Sequence, residues 1–324
     1  MSVTVAPDTL LAKIAKPIAP KGVYAAVLSP FDDKYEIDTP LLIDHAKWLL
    51  ANGCNGLSTT GSTGEGNSMP TKQRIGLLDT LLKAGVPADK MIPGTGAASL
   101  GDVVELTRHA VQAGCGGALV LPPYYYSNPT EDGLFAAFAS LIERVADSRL
   151  RLYLYHIPQF TGVPIPYAVI DRLIDAFPGI IAGLKDSFGD WSYSENLLKH
   201  LPGFAVYPGS EIFLSRVKKA GGGGCISGTV NFTAPLAAQV YAAATEAEAE
   251  RLQTKLDAVR KVVEAHPLVP ALKAIKGEMV GKPSWGRVLP PFTQLPDAAR
   301  TDLFKALDGF LSKSASGHGW ELRA

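Results

Sequence analysis

Short apolar runs alternate with stretches of helical period from residue 23 to residue 227. Runs of strand length fall at 23–28, 55–58, 91–93, 118–121, 150–155, 180–185, 204–207 and 225–227. The flanking Ser29-Pro30 and the Gly-rich stretch 59–66 are stop signals. Segments with apolar residues at helical spacing lie between them, at 41–51, 70–83, 100–111, 131–145, 166–177, 191–200 and 212–220. Ser99 with Asp102 makes a capping box, and Gly53 and Gly85 stand just past helix ends. Short buried strands that alternate with helices imply a parallel sheet. Eight such units, over a span close to the ~250 residues of a (β/α)8 fold, predict an α/β chain closed into a TIM barrel. An open doubly wound sheet is the weaker alternative, because no G-x-G-x-x-G turn follows the first strand.

Beyond residue 230 the pattern is helical throughout, at 236–244, 247–264, 267–280 and 298–311. The predicted organisation is therefore a loosely held N-terminal arm (1–20), a (β/α)8 barrel (21–230), a C-terminal helical extension (231–313) and a polar tail (314–324).

Active sites of such barrels lie at the carboxyl ends of the strands, so polar residues there carry the chemical reading. Run 180–185 ends in a single lysine, Lys185. Strand alternation puts Lys185 on one face with Ile181 and Gly183, and Ile180, Ala182 and Leu184 on the other. An inward lysine in apolar surroundings is expected to have a lowered pKa and to serve as a nucleophile toward a carbonyl. A lone strand-end lysine more often packs its stem and sends its head to water, so the reading depends on its neighbours.

Three neighbours qualify. Tyr155 ends run 150–155, on the face opposite Leu150, Leu152 and Leu154, and is either a proton relay or a core phenol. Gly61-Ser62-Thr63-Gly64 offers amides and hydroxyls suited to a carboxylate, or is an ordinary strand-to-helix turn. Tetraglycine 221–224 reads as a tight helix-to-strand turn. His156 falls on the face away from Tyr155, Glu65 is expected to brace its turn, and Cys225 reads as a small buried hydrophobe.

Composition narrows the partners. The 324 residues carry 31 Lys+Arg against 31 Asp+Glu, without a basic stripe, which argues against nucleic acid. Three cysteines without metal-ligand spacing suggest a reduced, cytoplasmic setting, and six histidines form no H-x-x-x-H pair, so neither a metal nor a cofactor is expected. No run reaches the ~18 apolar residues of a membrane span, and residues 1–20 make no convincing signal peptide.

Four motifs in register then carry a resemblance: Gly61-Ser62-Thr63-Gly64-Glu65, Pro123-Tyr124-Tyr125, Tyr155-His156-Ile157-Pro158 with Thr161-Gly162, and Gly183-Leu184-Lys185-Asp186-Ser187. Over residues 21–311 the chain resembles the dihydrodipicolinate synthase/N-acetylneuraminate lyase family of class I aldolases. The resemblance implies that Lys185 is the Schiff-base lysine, Tyr155 the proton-relaying tyrosine, and Ser62 the hydroxyl linking it to a second tyrosine. It implies that Thr63 and the Gly64 amide clamp the substrate carboxylate, and that Ile226 contributes a pocket-lining carbonyl. Tyr125 matches the second tyrosine, which in the family enters a neighbouring subunit's site, so a homo-oligomer, tetramer or dimer, is implied. The run 124–127 is one residue longer than usual, which leaves Tyr124 and Tyr126 as alternatives.

Two departures bear on substrate. Phe160 stands where dihydrodipicolinate synthases place an arginine for the second substrate's carboxylate, and a phenyl ring cannot replace a bidentate guanidinium. Asp186-Ser187 replaces the usual Glu-Ala. The resemblance therefore implies a Schiff-base lyase that cleaves a 4-hydroxy-2-oxo acid or deoxy sugar acid reversibly to pyruvate and an aldehyde. A sugar-acid dehydratase using the same imine, a 4-hydroxy-tetrahydrodipicolinate synthase and a non-catalytic ligand-binding barrel are the alternatives.

Overall fold

The computed structural model describes residues 7–313 and 320–322. Seven strands line a barrel: β1 (Gly22–Ala26), β2 (Gly56–Ser58), β3 (Ala118–Val120), β4 (Leu152–His156), β5 (Ile181–Asp186), β6 (Ala205–Pro208) and β7 (Gly224–Ser227). They pair in parallel in two runs, β2-β1-β7 and β3-β4-β5-β6. Segment 91–95 fills the gap between the runs: Ile92 N donates to Leu57 O and Gly94 N to Thr59 O, while Leu119 N donates to Pro93 O and Thr95 N to Leu119 O. It is the expected third strand reduced to single bridges at Met91 and Gly94, because Pro93 has no N–H to give a ladder. Gly223 N, donating to Val206 O at 2.8 Å, closes the last seam. The pattern's closed barrel is thus the observed architecture.

Alternation along the strands sorts side chains as expected in β4, where Leu152 and Leu154 face the helices and Tyr153 and Tyr155 the interior. In β5 it does not. The β4–β5 register skips a residue, pairing Leu152 with Ile181 but Tyr153 with Gly183. This irregularity turns Ile181 outward with Leu184 and Ala182 inward, reversing the faces expected for residues 181 and 182. Lys185 lies beyond the irregularity and keeps its inward direction, above Gly183.

The lower interior is filled by Tyr24, Tyr153 and Tyr207, which meet edge-to-face at 5.7 and 6.0 Å. The N-terminal arm covers them, contrary to the expectation of a loose segment. Ala15 N donates to Ile181 O at 3.0 Å, Gly179 N donates to Lys13 O at 2.8 Å, and Leu10, Ala15 and Ala19 are buried. Arm docking removes apolar surface that an open barrel end would leave wet; a buried Leu10 alone is worth about 1.5–3 kcal/mol.

Helix Val230–Ala242 packs on β1 and completes the outer ring. It starts ahead of the expected residue 236 and carries Pro235 within it. Helices Glu246–Glu264, Leu268–Val280 and Asp297–Leu307 then build a second core around Val259, Leu272, Ile275, Trp285 and Leu303. Leu28, just past the carboxyl end of β1, belongs to that core, so the extension sits beside the barrel mouth. Two short strands, β8 (Leu311–Lys313) and β9 (Trp320–Leu322), pair antiparallel. Part of the expected tail is therefore sheet; residues 314–319, 323 and 324 lie outside the described residues.

Candidate active site

Lys185 is the penultimate residue of β5, with 4% of its surface exposed, paired with Tyr155 on β4 and Tyr207 on β6. Its Nζ lies 4.4 Å from the centroid of the Tyr155 ring. Tyr155 is itself buried, and its hydroxyl is 3.5 Å from Ser62 Oγ. Burial pushes the Tyr155 phenol up, but the Lys185 charge and hydrogen bonds with Ser62, Ser187 and Lys185 outweigh it and hold the phenol below its ordinary value. A phenol eased toward phenolate beside an amine is equipped to move protons at that amine's adduct.

Ser187 is a partner to which the motif alone gives no role. Two residues past Lys185, it shares that face, a relation strand parity alone supplies. Gly209, beyond β6, makes room for it: a Cβ there would stand 2.0 Å from Ser187 Oγ.

The turn after β2 is held in an uncommon shape. Thr60 and Glu65 both have positive φ, 53° and 58°, at a cost on the order of 1–3 kcal/mol each. Thr60 Oγ1 donates to Gly94 O, which also accepts from the buried Arg74. Gly64 is glycine because a Cβ would lie 2.7 Å from Val27 O, and its own carbonyl accepts from Ser29 Oγ at 2.8 Å. Thr63 is buried beside the end of β7, where a Cβ on Gly228 would be 3.2 Å from Thr63 Oγ1. Ile226 packs in the interior with Tyr155.

Glu65 braces this turn, as expected, through a partner that only the fold supplies. Its carboxylate forms an ion pair with Lys273 of helix Leu268–Val280 and accepts from Leu289 N at 2.6 Å. Burial pushes the Glu65 carboxyl up and the Lys273 amine down to about 8, against the pull each exerts on the other.

Behind the lysine strand, Asp186 faces outward and accepts from Phe188 N and Ser194 Oγ. Burial pushes its carboxyl up to about 6 despite these bonds. His156 stacks on Tyr193 with centroids 4.0 Å apart, accepts from Ile165 N through Nδ1, and is pushed down to about 4 by burial. It is a neutral packing group, away from the reacting face. Asp186 binds its proton more tightly folded than unfolded, so its contribution to stability is present below about 3.8 and is lost as pH rises to about 6. Ionisation above that range costs on the order of 3 kcal/mol. Asp186→Asn, whose Oδ1 can still accept from Phe188 N and whose Nδ2 can donate to a rotated Ser194 hydroxyl, is expected to raise the unfolding temperature at pH 8 and by roughly half as much at pH 5. Equal increments at the two pH values in thermal unfolding would refute this.

Two expected site residues stand apart in the single chain. Tyr125 is 74% exposed and meets Tyr126 edge-to-face at 5.2 Å, so within one chain it stands apart from the Tyr155–Ser62 contact. Phe160 is 72% exposed on the one-turn helix Pro158–Thr161 that follows β4. Exposed side chains around the mouth take their direction from segments outside the strands, which strand parity cannot foretell. Among the described residues no His/Cys/Asp/Glu group could hold a metal ion, and no helix is long and apolar enough to cross a membrane.

A closed parallel barrel with a buried lysine, a phenol and a hydroxyl-rich turn gathered at one mouth has the layout of a class I lyase. The family model for the dihydrodipicolinate synthetase family matches residues 19–309, and the chain belongs to that family. It is an enzyme of the class I pyruvate-dependent aldolase/lyase type. A Chloroflexus aurantiacus protein described as an uncharacterized DapA-like lyase is 36% identical over 258 residues, 79% of this chain and 85% of that one. The 4-hydroxy-tetrahydrodipicolinate synthase of Parasynechococcus marenigrum is 30% identical, over 88% of this chain and 93% of its own. Among solved structures, dihydrodipicolinate synthase from Agrobacterium tumefaciens superposes with a TM-score of 0.82 at 31% identity, covering 89% of this chain and 98% of that one. YagE of E. coli K12, a family member solved in complex with pyruvate, gives 0.81 at 25% identity over 89% of this chain and 98% of its own.

Proposed function

We propose that the chain is a Schiff-base lyase that reversibly cleaves a 4-hydroxy-2-oxo acid or a deoxy sugar acid to pyruvate and an aldehyde. The observation that carries this reading is the placement of Lys185 Nζ 4.4 Å over the Tyr155 ring, with Ser62 Oγ 3.5 Å from the phenol. The Lys185 amine attacks the C2 carbonyl and the carbinolamine loses water to give a protonated imine. Thr63 and the Gly64 amide hold the carboxylate. Tyr155 takes the C4 hydroxyl proton, the C3–C4 electron pair moves into the imine as the aldehyde departs, and C3 is then reprotonated. Water releases pyruvate and restores the amine.

The pyruvate bound to YagE supports the first half-substrate. Phe160 supports a second half-substrate without a carboxylate at that position, since no guanidinium stands there. Tyr125 completes the relay from a neighbouring copy, so the working form is a homo-oligomer. Pyruvate with borohydride tests the lysine assignment: a reduced pyruvyl adduct on Lys185 is expected in peptide mass spectra. A panel of 4-hydroxy-2-oxo acids and deoxy sugar acids, beside aspartate semialdehyde with pyruvate, then identifies the partner. Turnover of only the last pair would overturn the lyase reading in favour of the synthase, and a product that retains the whole carbon skeleton would favour dehydration.

A further inference from the structure

The turn 60–65 carries the residues assigned above to the substrate carboxylate, and the role inferred for its neighbour Lys273 rests on that assignment. The two left-handed residues of the turn are restrained differently. Thr60 is tied within the barrel, by Oγ1 donating to Gly94 O at 2.9 Å. Glu65 is tied outside it, with both carboxylate oxygens committed to the C-terminal extension: one to Lys273 in an ion pair, the other to Leu289 N at 2.6 Å. Neither side chain of the pair has any exposure. Lys273 is fixed in turn by donating to Arg287 O at 2.6 Å and by lying 4.3 Å over the Phe31 ring. The preceding residue of the same helix, Leu272, comes within 3.3 Å of where a Cβ on Gly228 would stand, a point that is also 3.2 Å from Thr63 Oγ1.

We propose that Lys273 is a positioning residue for the 2-oxo acid's carboxylate: acting through Glu65, it fixes the backbone of the Thr63-Gly64 clamp from the helical extension. A buried charge pair suits this task because neither member can leave without stranding the other in an apolar interior. The left-handed conformation at Glu65 is thereby kept from relaxing. The extension, outside the barrel by sequence, is part of the substrate site by function. Clamp geometry matters because small misplacements of binding groups have large kinetic effects.

The test uses Glu65→Gln, Lys273→Met and the double variant, with borohydride trapping of pyruvate read by mass spectrometry and hydroxyacetone as a neutral ketone probe. Each variant is expected to raise the pyruvate concentration for half-maximal trapping by roughly 10- to 100-fold. The trapping rate at saturating pyruvate, and trapping of hydroxyacetone, should stay within about threefold. The double variant removes both charges and is expected to regain much of the thermal stability lost by either single change, without regaining pyruvate affinity. That separation is one that a purely structural role would not produce. Equal weakening toward both probes, or wild-type half-saturation in a folded double variant, would overturn the proposal. A wild-type enzyme that traps hydroxyacetone on Lys185 but not pyruvate would instead sink the carboxylate assignment on which it rests.

Discussion

Lys185→Ala is expected to abolish the borohydride-stable adduct and to lower kcat by at least about 10⁴-fold, the effect of removing a covalent nucleophile whose absence no neighbour repairs. Position, not residue type, makes the effect large. Lys185 is buried at a strand end, with Tyr155 and Tyr207 beside it in the adjoining strands. The variant also has a signature away from turnover. The Lys185 charge and hydrogen bonds offset the burial that pushes Tyr155 up. With the charge and the Lys185 hydrogen bond gone, only the bonds with Ser62 and Ser187 still oppose burial, and the phenol should titrate at higher pH than in the wild type. Ultraviolet difference titration of tyrosinate reads this directly; no upward movement, or an adduct still formed on another lysine, would remove Lys185 from the proposed mechanism.

Tyr155→Phe is expected to lower kcat by about 10²–10⁴-fold while leaving imine formation on Lys185 detectable. Only the hydroxyl is removed, and the ring that packs against Lys185 Nζ at 4.4 Å remains. Loss of turnover with retention of the trapped adduct separates proton transfer from nucleophilic attack. In the wild type the phenol is held below its ordinary value, so the acceptor form gains population as pH rises through a limb displaced to lower pH. Ser62→Ala and Ser187→Ala each remove a hydrogen bond that favours the phenolate, and both should move that limb toward higher pH. A Tyr155→Phe enzyme with kcat near wild type would assign the proton to another group.

The stretches that are legible along the chain share a short-range cause. Helices 131–145 and 191–200 appear with the expected bounds, since capping and period act over a few residues: Thr130 Oγ1 caps Gly133 N and Asp190 caps Ser192 N. The faces of Tyr153, Tyr155 and Lys185 follow from parity. Parity fails at Ile181 and Ala182, where an irregular β4–β5 pairing breaks the alternation, and such a break is decided between strands rather than within one. The third strand dwindles to bridges for a local reason, Pro93, that the apolar pattern does not weigh. The arm reads as loose because its prolines and polar residues say nothing of the tyrosine-filled barrel end that Ala15 and Ala19 cover.

The site divides in the same way. Lys185, Tyr155 and Ser62-Thr63 are readable because each sits at or just past a strand end, and barrel closure carries all strand ends to one mouth. Periodicity, capping and turn residues, all interactions within a dozen positions, thus determined the eight-unit barrel and the identity of its polar mouth. The third dimension alone decided which distant groups hold that mouth in shape. Glu65 and Lys273 stand 208 positions apart in the chain and meet only because the helical extension folds back beside β1. A charge that must be buried finds its partner by proximity in space, a quantity that spacing along the chain does not encode.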